Sequence, residues 1–327
     1  MKAIVTPFNA TDKVPLHEVV PLDTPFVMSI EPSSICNLKC TFCTLSKSNE
    51  KGIIMPNEVF DKIIHDLKDF KQPLKLVYFS MIGEPLLNKR LPEMVRRLYL
   101  ERLTNETVLN TNAVSLTDDI ALRLVDAGLT RIRISVNGLS SEDYLRNCGV
   151  KIDFDTFVKQ IAFLYKNKKN LIIQIKTVDK LLRPGGETRF YEIFGDICDQ
   201  ISIEQLFPIF ENVNYGKFFT QHESIPAGRY ASVQSNVKIC ALPFYRTVVR
   251  ANGDVNLCYS YIPDGNILDK SLKEVWYGEK RKKLLTNLLK MKFDGVARNC
   301  DGCVCGHEQA GPKDNLYPYR NSILKRL

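Results

Sequence analysis

From residue 26 onward, short runs rich in β-branched and aromatic residues alternate with longer amphipathic runs, and this alternation most restricts the fold. Strands are expected over 26–31, 75–80, 106–110, 130–136, 171–178 and 200–206. Helices are expected between them over 56–70, 91–103, 118–127, 153–166 and 187–198, the first with Val59, Ile63, Ile64 and Leu67 on one face. Gly128 stands where the third of these can end in the left-handed conformation. Repeated βα units build a parallel sheet. Six of them suit an α/β partial barrel, open on one side, better than a closed eight-stranded one. Parallel barrels carry their chemistry in the loops after the C-terminal strand ends, so functional side chains are sought there.

The loop after the first strand reads Cys36-Asn-Leu-Lys-Cys40-Thr-Phe-Cys43. Three thiolates at this CxxxCxxC spacing can hold three irons of a four-iron, four-sulfur cluster. Such clusters normally take four thiolates, so either a distant ligand completes the set or one iron stays open. A zinc knuckle is the other reading. Zinc sites usually pair CxxC with a second CxxC or with histidines at short spacing, and no such partner follows Cys43.

With Phe42 directly before the last cysteine, the run resembles the signature of the radical S-adenosylmethionine (radical SAM) superfamily. The resemblance implies a (β/α)6 core and an open iron that chelates the amino and carboxylate groups of S-adenosylmethionine. It also places Phe42 against the adenine, with core packing as the alternative. Ser80-Met-Ile-Gly83-Glu84-Pro85-Leu86, after the second strand, resembles the family's GGEPL element, in which backbone and carboxylate receive the ammonium group of S-adenosylmethionine. Ile82 departs from it where the first glycine usually stands. Asn110-Thr-Asn112 after the third strand is similar to the family's TNG segment, and Ser135-Val-Asn137-Gly138 follows the fourth. In relatives these positions lie near the ribose and the methionine carboxylate; as turn formers, the same residues also simply end strands.

The chain changes character near residue 210, becoming polar until Cys240. Strands at 246–251 and 254–259 flank Asn252-Gly253, which predicts a hairpin with a type I′ turn. Ser271-Leu-Lys-Glu274 is a capping-box start for a helix running to about residue 289, and Cys300-Asp-Gly-Cys303-Val-Cys305 follows. Cysteines before and within a hairpin, then a helix, then CxxC, resemble the SPASM/twitch appendage that binds auxiliary clusters in radical SAM enzymes. By that resemblance Cys240, Cys258, Cys300 and Cys303 hold one further four-iron cluster, with Cys305 able to replace a neighbour. Four thiolates can also hold structural zinc. The expected organisation is an N-terminal extension (1–25), the partial barrel (26–210), a linker (211–239), a small α+β SPASM/twitch domain (240–305) and a tail (306–327).

Ten cysteines with CxxC clustering fit metal or redox chemistry better than a disulfide frame. The N-terminus has no basic segment followed by an apolar run, and no stretch approaches the length of a membrane span. A cytoplasmic protein without membrane attachment is expected. The net charge of +8 includes Lys166, Lys168 and Lys169 and the run Lys280 to Lys283, which read as solvated helix faces. Without an aromatic-interleaved basic motif, nucleic acid is not the expected partner. Cys198 reads as a small buried hydrophobe, and the four histidines are scattered.

The resemblance implies an enzyme in which a 5′-deoxyadenosyl radical removes a substrate hydrogen. The auxiliary cysteine spacing looks like that of the aminocyclitol dehydrogenase type of butirosin biosynthesis. The leading expectation is therefore oxidation of a secondary alcohol in a carbohydrate, amino sugar or aminocyclitol, with nucleotide- or phosphate-linked forms compatible with the basic balance. The auxiliary cluster would accept the second electron, and a flavodoxin- or ferredoxin-type donor would supply the first. Glu204, Gln205 and Lys176 have addresses suited to the required base. A peptide- or protein-modifying maturase is the alternative, though 25 residues before the first strand are few for a leader-binding domain. A radical epimerase would need a thiol donor such as Cys148 or Cys305.

Overall fold

The computed structural model describes residues 1–6, 14–48, 51–208, 210, 212–220, 223, 238–259, 262–292 and 312–327. Cys300, Cys303 and Cys305 lie outside the described residues, as do His222 and His307.

In chain order the elements are β1 (Ile4–Val5), α1 (Leu16–Val19), β2 (Val27–Ile30), α2 (Asn57–Leu67), β3 (Leu74–Phe79), α3 (Leu91–Leu100), β4 (Thr104–Thr111), α4 (Asp118–Asp126), β5 (Arg131–Ser135) and α5 (Ser141–Cys148). They continue with α6 (Phe154–Asn167), β6 (Ile172–Val178), α7 (Gly186–Phe194), β7 (Gln200–Glu204), α8 (Leu242–Tyr245), β8 (Arg246–Val249), β9 (Asp254–Asn256), β10 (Gly265–Asn266), α9 (Leu272–Trp276), α10 (Glu279–Leu289) and a final α11 (Arg320–Leu324). The six expected strands are all present as β2 to β7, hydrogen-bonded in parallel order. This is the mixed α/β, parallel-sheet core of a partial barrel. α4 ends as expected, with Gly128 at φ +85°.

Both edges of that core are extended. β1, from the N-terminal segment, pairs parallel to β7, and β8 pairs parallel to β2. The sheet order is β1-β7-β6-β5-β4-β3-β2-β8-β9-β10. The C-terminal hairpin is thus continuous with the barrel wall. Glu31, buried after β2, accepts from the Ala251 N–H at 3.2 Å and faces Arg250 at 3.6 Å, locking the two segments together.

Strand register separates the sheet into two unlike faces. Val77, Phe79, Leu109, Ile132, Ile134, Ile173, Ile175 and Ile201 are buried and share the side covered by helices. The alternate positions include Ser29, Tyr78, Asn110, Arg133, Ser135, Gln174, Lys176, Gln200, Ser202 and Glu204, together with the apolar Leu76, Val108 and Val178, and these share the mainly polar concave side. A closed barrel of this type fills its interior with branched apolar side chains. A polar interior is instead suited to a ligand.

Three local expectations are corrected. The hairpin closes with Gly253 N–H to Arg250 O at 3.0 Å and Arg250 N–H to Asp254 O at 2.8 Å, and within the turn only Gly253 has positive φ (+88°). It is a three-residue loop with a left-handed glycine rather than a type I′ turn. The Ser271/Glu274 capping box is present, but its helix breaks at Tyr277-Gly278 into α9 and α10. Arg281 is also not part of a solvated face. It is buried, stacks 3.4 Å from the Trp276 ring centre and donates to the carbonyls of Pro243, Phe244 and Trp276. α5 belongs to no expected element.

The tail packs on the outside of the barrel. Leu316 and Ile323 are fully buried, Tyr319 stacks on His17 at 3.5 Å, and the Arg326 guanidinium donates to the carbonyls of His17 and Glu18. Among the described residues, no helix is long and apolar enough to cross a membrane.

Candidate functional site

Cys36, Cys40 and Cys43 lie in the loop leaving β2, each partly buried. Two neighbouring loops fix that loop's path. From β3, the Glu84 N–H donates to Ile35 O at 2.8 Å, and Gly83 sits so close that a Cβ there would lie 2.1 Å from Ser33 O. From the end of α5, the carbonyls of Asn147 and Cys148 accept the N–H groups of Thr41 and Lys39 at 2.9 and 2.8 Å. A helix C-terminus leaves its last carbonyls without intrahelical partners, and here two of them grip the backbone on either side of Cys40.

Side chains from the other strand ends reach the sulfurs. Asn112 Nδ2 donates to Asn37 Oδ1 at 2.8 Å and approaches Cys36 Sγ at 3.8 Å, and Asn137 Nδ2 approaches Cys40 Sγ at 3.7 Å. Asn137 O in turn accepts from Asn147 Nδ2 at 2.7 Å. Glu84 is buried at the centre of this arrangement. Its Oε1 accepts from the Leu86 N–H at 3.0 Å and from the Thr111 hydroxyl, and its Oε2 from the Asn112 N–H at 2.8 Å. Burial outweighs these three donors and pushes the Glu84 carboxyl above the usual range. An ionised carboxylate offers about four acceptor sites, so Oε2 retains room for one further cationic donor. Pro85 and Leu86 begin the turn that Glu84 caps, and Ser80 donates its N–H to Ile30 O at 3.0 Å.

The expected site residues of the four strand-end loops are therefore gathered at one end of the barrel. Asn110 Oδ1 is buried there without a hydrogen-bond partner among the described residues, as is Ser202 Oγ on β7. Both residues lie on the concave side by register.

The three cysteines fit an iron–sulfur cluster better than one metal ion. Zinc–sulfur bonds of about 2.3 Å put tetrahedral ligands about 3.8 Å apart. Among the described residues, only His65, Asp66 and Asp69 bring three candidate ligand atoms all within 4.8 Å of one another. The three cysteine sulfurs are not gathered that closely in this arrangement. Burial pushes the Cys36 thiol up to about 12 and raises Cys43, while Cys40 is raised by its contact with Cys148 and by burial. Metal loading must therefore displace protons from these thiols.

Phe42 packs with Leu206, Val213 and Tyr215 in a second apolar cluster beside the strand ends, and the Tyr215 hydroxyl donates to Phe42 O at 3.2 Å. Tyr215 lies in the expected linker, 211–239. Its sequence signal is weak, an isolated tyrosine between polar residues. Lys176 and Glu204 form one unit, Nζ to Oε2 at 2.8 Å, with Glu204 buried and Lys176 partly exposed. Gln205 follows at the end of β7, partly buried. Cys148 is fully buried, with its sulfur 3.5 Å from Cys40 Sγ, which removes it from any direct encounter with substrate. Cys198 is likewise buried and contacts Phe194 O, as expected of a small hydrophobe.

Cys240 and Cys258 flank the hairpin, each partly buried. β8 begins level with Val27, the first residue of β2, and β9 runs antiparallel to β8. Cys240, before β8, and Cys258, after β9, thus lie toward the N-terminal ends of the barrel strands, opposite the Cys36 loop. Arg246 enters between these two ends. It is buried, donates to Ser29 Oγ at 2.6 Å, and lies over the rings of Tyr259 and Tyr78 at 4.3 and 5.3 Å. Arg133 approaches the same Tyr78 ring at 5.6 Å and donates to Gln174 at 2.6 Å.

Comparison with known proteins agrees with this geometry. The Radical SAM superfamily model matches residues 30–179, and the SPASM iron-sulfur cluster-binding domain model matches 240–304. The tungsten-containing aldehyde ferredoxin oxidoreductase cofactor-modifying protein of Pyrococcus furiosus is 21% identical over 77% of this chain and 80% of its own length. A probable GTP 3′,8-cyclase of Methanococcus maripaludis is 35% identical, but over 36% of this chain and 38% of its own. The fold is similar to that of BtrN in complex with AdoMet and 2-DOIA (TM-score 0.54, 18% identity, 88% of this chain and 98% of that one). It is also similar to Streptococcus suis SuiB bound to S-adenosylmethionine (TM-score 0.63, 17% identity, 93% and 76%).

Proposed function

Because the chain belongs to the radical SAM superfamily and joins that domain to an iron-sulfur cluster-binding SPASM domain, we propose that it is an oxidoreductase acting on a secondary alcohol of a carbohydrate, amino sugar or aminocyclitol. When bound, S-adenosylmethionine and the two clusters supply a 5′-deoxyadenosyl radical for C–H abstraction and an acceptor for the second electron.

The observation that carries this reading is the polar concave face lying between the two cysteine ends. Asn110, Ser135, Lys176, Ser202 and Glu204 are polar positions on that face, of a type suited to a hydroxyl-rich ligand. The Lys176–Glu204 pair supports a base for the hydroxyl proton, with Glu204 as its acceptor and Lys176 as the ion-pair partner that positions it. Arg133 and Arg246, on either side of Tyr78, favour a substrate carrying negative charge, as a phosphate- or nucleotide-linked sugar does. The chain's own residues thus orient the alcohol, accept its proton and keep the site walled by helices on the other sheet face.

The test uses anaerobically reconstituted, reduced protein with S-adenosylmethionine and a panel of aminocyclitols, hexosamines and sugar nucleotides deuterated at their carbinol carbons. Deuterium in 5′-deoxyadenosine together with a ketone product is expected. Deuterium return to an inverted substrate carbon, or turnover only with a peptide, would overturn the reading.

A further inference from the structure

Cys148 meets the cysteine loop from outside it. It is the last residue of α5, and Gly149 behind it adopts the left-handed conformation that ends the helix (φ +65°). Its backbone and side chain both engage the Cys40 segment: the carbonyl accepts from Lys39 N–H at 2.8 Å, and the sulfur lies 3.5 Å from Cys40 Sγ. Cys148 is fully buried, whereas Cys40 is only partly so. The contact therefore lies on the protein side of Cys40.

A sulfur–sulfur separation of 3.5 Å is a hydrogen-bonding distance. It is too short for two thiolates to serve different irons of one cluster, because those ligands point outward from separate corners. Cys148 is thus not a fourth ligand in this arrangement. While both groups are thiols, either can donate to the other. Iron ligation changes that, because the ligand is the thiolate and a thiolate can only accept. Cys148 then holds the S–H of the pair, and Asn137 Nδ2, 3.7 Å from Cys40 Sγ, is a second donor to the same sulfur.

Hydrogen bonds to cluster sulfurs are among the factors that set reduction potential. They stabilise the more negative, reduced state and so raise the potential. We propose that Cys148 is a positioning residue of the cluster at Cys36, Cys40 and Cys43, its buried S–H donating to the Cys40 sulfur and easing one-electron reduction of that cluster. The assignment rests on the cluster reading of the three cysteines and is independent of the substrate. It also gives a role to a cysteine that the spacing motifs leave unused.

The experiment compares wild type, Cys148→Ala and Cys148→Ser after anaerobic reconstitution. Iron content is measured first. The reduced cluster is then followed by electron paramagnetic resonance during a redox titration, using the signal that shifts on adding S-adenosylmethionine to identify this cluster. Removing the donor in Cys148→Ala should lower the reduced-to-oxidised ratio at a fixed potential about tenfold, equivalent to about 59 mV for a one-electron couple. Cys148→Ser keeps an O–H donor and should recover most of that shift. If the alanine variant holds no iron while the serine variant does, the donor is needed to seat Cys40, which also supports the assignment. An unshifted alanine variant, a serine variant that behaves like alanine, or loss of iron from both would overturn it. Wild type without iron would remove the cluster reading itself.

Discussion

Gly83 and Ser33 approach so closely that a Cβ on residue 83 would stand 2.1 Å from the Ser33 carbonyl oxygen and 2.7 Å from that of Ile35. Neither contact can yield by a side-chain rotation, since both are backbone. Gly83→Ala should push the β3 loop off the cysteine loop, destabilising the protein by about 1–3 kcal/mol. Binding of S-adenosylmethionine to the reconstituted variant should weaken at least tenfold, as read by titration calorimetry. An alanine variant with wild-type affinity would show that the two loops act independently.

Glu84 serves three donors from its own chain, on Leu86, Thr111 and Asn112. In Glu84→Gln, one oxygen becomes an amide nitrogen that faces a donor, leaving a buried polar group unsatisfied at a cost of about 1–3 kcal/mol. Urea unfolding should register that loss. Affinity for S-adenosylmethionine should fall as well, since the carboxylate that could meet its ammonium group is gone. A destabilised variant with unchanged affinity would restrict Glu84 to bracing the loops.

How much of this was legible in the sequence depends on whether the information was local. The β2 to β7 strands follow from apolar runs whose spacing does not depend on what they pack against, and the Cys36, Cys40 and Cys43 loop is a contiguous motif. Arg281 was hidden because a charged residue among lysines gives no sign that Trp276 and three carbonyls will enclose it. α5 is a short, strongly polar helix, and its role lies in two C-terminal carbonyls that carry no side-chain signal. The pairing of β8 with β2 joins residues more than two hundred positions apart, and no periodicity records such a contact. Lys176 and Glu204 were separate candidates on the sequence, and the β6–β7 register makes them a pair.

Arg281 supplies a stability prediction. Burial brings its guanidinium down to about 9, so it stays charged at neutral pH while serving three carbonyls. Arg281→Met should destabilise by about 3 kcal/mol or more, because those acceptors lose their donors inside the core. Arg281→Lys should recover little, since an ammonium lacks the planar fork that reaches all three. Thermal melts of the two variants check this, and full recovery by lysine would refute the geometric argument.

Asp143 anchors the loop after β5. Burial opposes its ionisation, but the Leu139 N–H at 3.1 Å, Arg146 at 2.7 Å and Arg183 at 3.0 Å prevail and hold its carboxyl below the usual carboxylate range. A carboxyl depressed in the folded state contributes stability above its unfolded value, near pH 3.9, that is lost as pH falls through the folded value. Asp143→Asn should cost about 1–3 kcal/mol at pH 7. It should also flatten the loss of stability below about pH 4. Urea midpoints measured across that range would show the two curves converging in acid, and parallel curves would contradict the assignment.

Electron flow in the proposed reaction requires two iron–sulfur clusters, one at the Cys36 loop and one at the Cys240 and Cys258 end. Anaerobic iron and sulfide content with Mössbauer spectra, on wild type and on a Cys36/Cys40/Cys43 triple-alanine variant, tests this most directly. About eight irons in wild type and about four in the variant, all in four-iron clusters, are expected. About four in wild type and almost none in the variant would contradict it, leaving the Cys240 and Cys258 end without an electron acceptor.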